Sequence, residues 1–516
     1  MKDLRQILWN SLTSWGSVLI KIGFFFHMVP VLVKALGAEG FGVTGLVLVV
    51  VSFTLMADLG FRASLGRELS ARRAEKDLEG FRGLSTGGLI LFLGIAIPLA
   101  LALVFASPWL VDFFQVPEEL RGDTVLLLRT YGVMHLFTSF VRPVLAAGLS
   151  AFKRLDVVNN METLRQLVLW VGLILGFLVF PPSENPLLRW GIVASVCEIA
   201  AYLVFYLAYR RVVYPGSLSF RNARKKALWP LFQLSGHMFA LNLTYGLSER
   251  ADPLIISRFL GPAGVALYQA GMKISSAVRP LVSLPAHQLF PYTTEAHVRG
   301  ETKKQYGYLV YGTRYLFMIG SLICVLIYVY ADIFCHLWLN EALGDETKTV
   351  ARVMRLIAVS DYILFMSGTQ WPVLLGIKKL SFLVKVQVPS ALINVLASIY
   401  IIGYTEIGVE GVLYATIIVG LIRRPFIFAY TCSVVGVSKI EYFKKGYATV
   451  LISSMLTLGL FVYLSEDIKI NGWLDFILSL PVTTLTALLI LWAVGCNGTE
   501  RHHIKNMVWN KRRGVQ

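Results

Sequence analysis

Asp58 and Arg62 stand four residues apart at the end of an apolar stretch, and other charges lie inside runs that are otherwise hydrophobic: the bases Lys21, Arg142, Lys273, Arg279 and Arg314, and the acids Glu249, Asp252 and Asp361. A charged side chain facing lipid at the bilayer centre costs about 2.5 kcal/mol or more, so such groups face a bundle interior or a water-filled cavity. Guanidinium groups can grip an anionic oxygen group through two parallel bonds, while an ammonium acts as a point charge. Buried acids can take up a coupling proton or cation, or neutralise a neighbouring base. The four-residue spacing puts Asp58 and Arg62 on one helix face. Two readings of that pair stand: an ion pair that lets both be buried, or a coupling site at Asp58 with Arg62 at the mouth of a pathway. Lys21 falls about ten residues from the end of its run, near mid-depth at about 1.5 Å per residue, and Lys273 and Arg314 reach a similar depth. Arg62, Arg129 and Lys385 lie near run ends, where a long side chain can also extend its charge to the surface.

The runs that must position these groups dominate the composition. Of 516 residues, 56% are hydrophobic and 15% charged, with a mean hydropathy of +0.65. Soluble domains are about 45–50% apolar and about 25% charged, so the expected class is an all-α integral membrane protein. Runs of about 20 apolar residues cross the hydrocarbon core. Fourteen are expected, at 11–35, 42–65, 84–110, 124–150, 160–180, 188–209, 229–258, 264–290, 306–335, 350–375, 381–403, 409–433, 444–465 and 473–495. The N-terminus lacks the short apolar core and small-residue cleavage site of a signal peptide, so the first span is expected to be retained. Five scattered cysteines form no CxxC pair, and neither a metal site nor a disulfide framework is expected.

Charge alternates from one connection to the next. Arg67, Arg72, Arg73 and Lys76; Lys153 and Arg154; Arg210 through Lys226; Lys303 and Lys304; Lys378 and Lys379; and Lys444 and Lys445 fall on one side, while Glu118, Glu119, Glu341, Asp345, Glu406, Glu466 and Asp467 fall on the other. Basic connections stay on the cytoplasmic side. Both termini are therefore expected inside, and the net charge of +17 is explained without nucleic acid.

"KALGAEGFG" (34–42) and "RFLGPAGVA" (258–266) repeat at a spacing of 224 residues, aligning Leu36 with Leu260, Gly37 with Gly261 and Gly40 with Gly264. Six spans separate them, so two halves share one orientation, a parallel repeat about an axis along the membrane normal. The expected organisation is an N-terminal lobe of spans 1–6 over residues 1–215, a C-terminal lobe of spans 7–12 over 216–440, and two extra helices with a basic tail over 441–516.

These residues resemble the polysaccharide transporter family of the multidrug/oligosaccharidyl-lipid/polysaccharide (MOP) superfamily. The likeness runs from about residue 5 to 440. In the first half it rests on Leu36-Gly37, Phe41-Gly42, Asp58-Leu59-Gly60 and Arg67-Glu68. In the second half it rests on Asp252, Leu260-Gly261, Gly264, Tyr268 and Lys273. Val43 replaces the aromatic residue usual after Phe-Gly. The resemblance implies two six-helix lobes around a central cavity, in many members with two further helices. It also implies movement of undecaprenyl-diphosphate-linked oligosaccharide from the cytoplasmic to the outer leaflet of the bacterial inner membrane, with a polysaccharide polymerase as a potential partner. Under this reading Lys21, Arg62, Arg142, Lys273, Arg279 and Arg314 are substrate-binding cavity bases. Asp58, Glu249, Asp252 and Asp361 are candidates for coupling to H+ or Na+.

The alternative is a cation-coupled multidrug exporter of the same fold, which would be expected to rely on buried acids, whereas bases outnumber acids in the spans. An enzyme would be expected to carry its chemistry on a sizeable outer connection, and those here are short. No Gly-rich phosphate loop is present, so neither nucleotide hydrolysis nor a cofactor is expected.

Overall fold

The computed structural model describes residues 2–58, 61–181, 184–213, 218, 229–377, 379–464, 470, 472–498 and 500–502. The expected lobe boundary at 215/216, most of the basic connection 210–228, Leu59-Gly60, Lys378, Glu466, Asp467 and the terminal tail lie outside these. The described elements are helices throughout. The first seven are α1 (Lys2–Thr54), α2 (Phe61–Ala74), α3 (Leu78–Phe113), α4 (Glu118–Leu127), α5 (Val133–Ala151), α6 (Leu155–Ile174) and α7 (Pro186–Val212). Next come α8 (Trp229–Val298), α9 (Thr302–Leu343), α10 (Thr347–Phe365), α11 (Gln370–Gly376), α12 (Leu380–Tyr404) and α13 (Gly411–Val435). The chain closes with α14 (Lys439–Phe443), α15 (Thr449–Leu464) and α16 (Trp473–Ile490). Ten helical stretches among the described residues are long and apolar enough to cross a membrane, and their outward faces are apolar, as on α7 with Ile192, Val196, Ile199, Leu203 and Leu207.

The repeated sequence is a repeated backbone. Gly37 interrupts α1 at φ 70°, ψ 170°, and Gly261 interrupts α8 at φ 69°, ψ −175°. That region of φ/ψ space is open essentially to glycine alone, so each of α1 and α8 is two helices joined at its glycine. The two segments also touch. A Cβ on Gly42 would sit 1.8 Å from the Pro262 carbonyl oxygen, so the absent side chain is what lets the backbones approach.

Two expected spans are shorter than their apolar runs. The run 42–65 leaves the α-helix at Thr54 and tightens into a 3₁₀ turn, Leu55–Asp58. There Ser52 donates to the Val49 carbonyl and Thr54 to the Val51 carbonyl, at 2.8 and 2.7 Å, local bonds that compete with the helical ladder. The run 350–375 breaks between α10 and α11, where Gly368 takes φ 45° and lies against Thr313.

The chain divides into two compact units. One comprises Met1–Lys273, Glu341–Leu343 and Gln387–Val412, and the other Ile274–Asn340, Gly344–Val386 and Leu413–Gln516. In the second unit, Phe317, Cys324, Val373, Tyr442, Tyr447, Val450 and Cys496 form one buried cluster. Its aromatic centre is the Phe428–Tyr442 stack, with ring centroids 5.0 Å apart. The Tyr442 hydroxyl shares a 2.8 Å bond with Thr313, so the buried phenol keeps a partner.

Candidate functional site

Four helices of the first unit carry charge to one place. Lys21 comes from α1, His135 and Arg142 from α5, Glu162 and Arg165 from α6, and Glu198 from α7. Glu162 is the hub. Its Oε2 accepts from Arg142 Nη1 at 2.8 Å, its Oε1 accepts from Arg165 Nη2 at 3.0 Å, and Lys21 Nζ lies 3.9 Å away. Arg165 also donates through Nη1 to Glu198 Oε2 at 3.1 Å. The other Glu198 oxygen accepts from the Thr138 hydroxyl at 3.2 Å and lies 3.6 Å from His135 Nδ1. Glu162 is seven residues into α6, about 10 Å from its start, so the network sits inside the spans.

The network is neither fully enclosed nor fully satisfied. Lys21 and Arg142 keep 37% and 39% of their side-chain surface exposed, while Glu198 keeps 9%. Among the described residues, the bond to Glu162 is the single hydrogen bond made by Arg142, although a guanidinium carries five N–H donors. The buried Nε of Arg165 has no hydrogen-bond partner. Three cations therefore surround two carboxylates, with donors to spare. That arrangement can hold a further anion.

Elsewhere in this unit, Asp58 and Arg62 form the expected pair, Nε to Oδ2 at 3.5 Å. They do so across the end of the 3₁₀ turn and the start of α2, not along one continuous helix. Arg62 stays 45% exposed and Asp58 10%. Asp252 accepts from the Tyr268 hydroxyl at 3.1 Å, joining two residues of the second repeat. Lys273 lies 3.5 Å from Gln269 Oε1, with its ammonium 4.7 Å from the Phe25 ring centroid, an attraction between a cation and the ring face. The Glu249 side chain lies outside those described.

In the second unit, Arg279 and Asp361 form one salt bridge at 2.5 Å, and the Ser275 hydroxyl also donates to Asp361. A base and an acid expected to act separately thus share a site. Arg314 is 2% exposed. Its Nε and Nη2 donate to the Glu500 carboxylate at 2.7 and 3.0 Å, its Nη1 donates to Thr449 Oγ1 at 3.0 Å and to the Lys445 carbonyl at 2.8 Å, and Nη2 also donates to the Gly495 carbonyl. Both carbonyls belong to π-helical turns, Lys444–Ala448 and Leu491–Gly495, where the widened ladder frees acceptors. All five donors are used. The expectation of Arg314 as a cavity base meets a guanidinium with no N–H left for a ligand.

Glu162, Arg165, His135 and Glu198 were not singled out in the sequence. A signal existed for two of them, since Glu162 and Arg165 are three residues apart and meet the same helix-face rule that identified Asp58 and Arg62. Glu198 is an acid in the middle of the apolar run 188–209. His135 joins Glu198 from another helix, which spacing does not reveal.

Comparison with solved structures identifies the fold. An inward-facing multidrug resistance MATE family transporter of the MOP superfamily matches with a TM-score of 0.68 at 16% identity, over 84% of this chain and 96% of its own. The lipid II flippase MurJ, in an inward closed conformation, matches with a TM-score of 0.65 at 14% identity, over 94% of this chain and 99% of its own. The chain shares its fold with these two membrane proteins, the first of them of the MOP superfamily. Residues 7–297, more than half of the chain, match the family model described as polysaccharide biosynthesis protein, and the chain belongs to that family. A Yersinia pseudotuberculosis protein provisionally named as an O-antigen export protein is 24% identical over 294 residues, 55% of this chain and 64% of the relative. The chain thus spans just under two thirds of that relative's length.

Proposed function

We propose that the protein is a flippase that moves undecaprenyl-diphosphate-linked oligosaccharide from the cytoplasmic to the outer leaflet by alternating access, for surface polysaccharide synthesis. The observation that carries this reading is the cation-rich network of Lys21, Arg142 and Arg165 around Glu162 and Glu198, with unused guanidinium donors inside the spans. Diphosphate is the part of such a substrate that most needs cations at that depth, because lipid offers it no counter-charge. Family membership and the provisional export name of the Yersinia relative support the reading.

In this proposal the chain forms fourteen spans: two six-helix lobes around a central cavity, then two extra helices, with both termini cytoplasmic. The matching backbone at Gly37 and Gly261 supports the parallel repeat. Lys273 and Arg279 are further substrate-binding bases of this reading, and Arg62 captures substrate at the inner leaflet. Asp58, Glu249, Asp252 and Asp361 are the candidates for coupling to H+ or Na+.

The test is mass spectrometry of lipids that co-purify with the protein. A polyprenyl-diphosphate oligosaccharide is the expected finding. Its absence, together with export of cationic compounds by vesicles containing the protein, would favour the multidrug-exporter reading, to which the MATE fold likeness lends support.

A further inference from the structure

We infer that Glu162 is a resident anion: its carboxylate occupies the Lys21–Arg142 site in the empty transporter, and a diphosphate diester displaces it on binding. This rests on the proposed flippase function and assigns that site a gatekeeping side chain.

The charges favour the exchange. With Glu162 in place, three cations face two carboxylates, a residual charge of one. When Glu162 leaves, Arg165 keeps its 3.1 Å bond to Glu198, and Glu198 keeps the Thr138 hydroxyl. Lys21 and Arg142 are then the two uncompensated cations. A diphosphate esterified at both ends carries two negative charges at neutral pH, so it matches what Glu162 uncovers, whereas a monoanion does not.

The geometry permits it. Glu162 keeps 25% of its side-chain surface exposed, against 9% for Glu198 behind it. The Lys21 contact is a loose 3.9 Å, and Arg142 spends one donor on the carboxylate. Glu162 also has a function when no substrate is present, since without it three like charges would share one site. A ligand that competes with a tethered side chain binds more weakly than the bare cations would allow, which makes release on the far side easier. The coupling between ligand and side chain is reciprocal.

Binding of farnesyl-diphospho-N-acetylglucosamine to the full-length protein in nanodiscs tests the inference, with UDP-N-acetylglucosamine as the lipid-free diphosphate diester. Glu162→Gln is expected to lower the Kd for the farnesyl ligand about tenfold, whereas Arg142→Ala and Lys21→Met raise it. A purely structural Glu162 would weaken binding along with its partners, so the opposite sign is the diagnostic. Unchanged or weaker binding by Glu162→Gln, with Arg142→Ala still weakened, would overturn the resident-anion role and leave the binding site intact. If Arg142→Ala and Lys21→Met bind like the parent protein, the site assignment itself fails. If Glu162→Gln does not accumulate, Glu162→Asp draws the carboxylate back by one methylene and should still tighten binding; failure to do so would overturn the inference. Equal affinity for UDP-N-acetylglucosamine would assign the site to soluble nucleotide sugars and refute a lipid-linked ligand.

Discussion

Arg314 and Glu500, 186 positions apart, meet in a two-pronged ion pair at 2.7 and 3.0 Å inside the second unit. Glu500 also accepts from the Asn497 backbone N–H at 2.7 Å, while the Asn497 side chain accepts from the Glu500 N–H at 2.9 Å. This reciprocal cap is a standard way to start a helical turn. One carboxylate thus starts the last turn of the described chain and fastens it to α9.

Removing Arg314 should therefore cost stability before it costs transport. Arg314→Ala leaves the Glu500 carboxylate without its cation and the Lys445 carbonyl without the Arg314 donor, a loss of about 3–5 kcal/mol for a broken buried pair. Arg314→Met combined with Glu500→Gln should recover much of it, because no unpaired charge remains. Thermal unfolding and the yield of monodisperse protein in detergent are the measurements; a normally stable Arg314→Ala would defeat the structural role. Acid should act the same way. Burial raises the Glu500 carboxyl's proton affinity, but Arg314 and the Asn497 N–H outweigh it and hold the group below the usual carboxylate range. The unfolded chain then binds the proton more readily than the folded one. This stabilisation is full above the unfolded value of about 4.3 and lost as pH falls through the folded one.

Asp58 and Arg62 should behave asymmetrically. Arg62 is 45% exposed, so Arg62→Ala is expected to cost about 1 kcal/mol or less, as for other solvent-screened pairs. Asp58 is the more buried partner, and its replacement tests coupling. Asp58→Asn with normal protein levels and lost transport, not rescued by any change at Arg62, marks a coupling acid. Recovery of both level and transport by Asp58→Arg with Arg62→Asp marks a structural pair.

Gly37→Ala and Gly261→Ala should each destabilise by about 1–3 kcal/mol, the cost of forcing a Cβ into this backbone region. Gly16→Ala, on a helical position with open space where the added methyl would point, is the control and should be neutral or slightly stabilising. Thermal unfolding reads all three, and a neutral Gly261→Ala would remove the turn's dependence on glycine.

Reporter fusions after residues 75 and 300 should read cytoplasmic, and fusions after 117 and 344 external, as the basic connections dictate. Reversal confined to the later two sites would break the parallel repeat.

The membrane class, most apolar runs and the two glycine turns were legible because hydropathy and turn chemistry are local. The Asp58–Arg62 pair was legible for the same reason, through its four-residue spacing. Arg279 and Asp361 were each visible as intramembrane charges, but their pairing across 82 residues was not. Arg314 shows the limit most clearly. A guanidinium deep in an apolar run looks the same in sequence whether it faces a ligand or two π turns, because π turns leave no compositional mark.

The Arg314–Glu500 bond also sets a schedule for biogenesis. Translation adds about 5–20 residues per second, so the 186 residues between them take about ten to forty seconds to make. Throughout that interval α9 exists with its guanidinium and without its carboxylate. The nascent second unit must be sheltered, by the insertion machinery or by water kept around Arg314, until Glu500 has been made. Stops placed between Arg314 and Glu500 should then yield chains that are removed by quality control, even when they fall after the α16 helix.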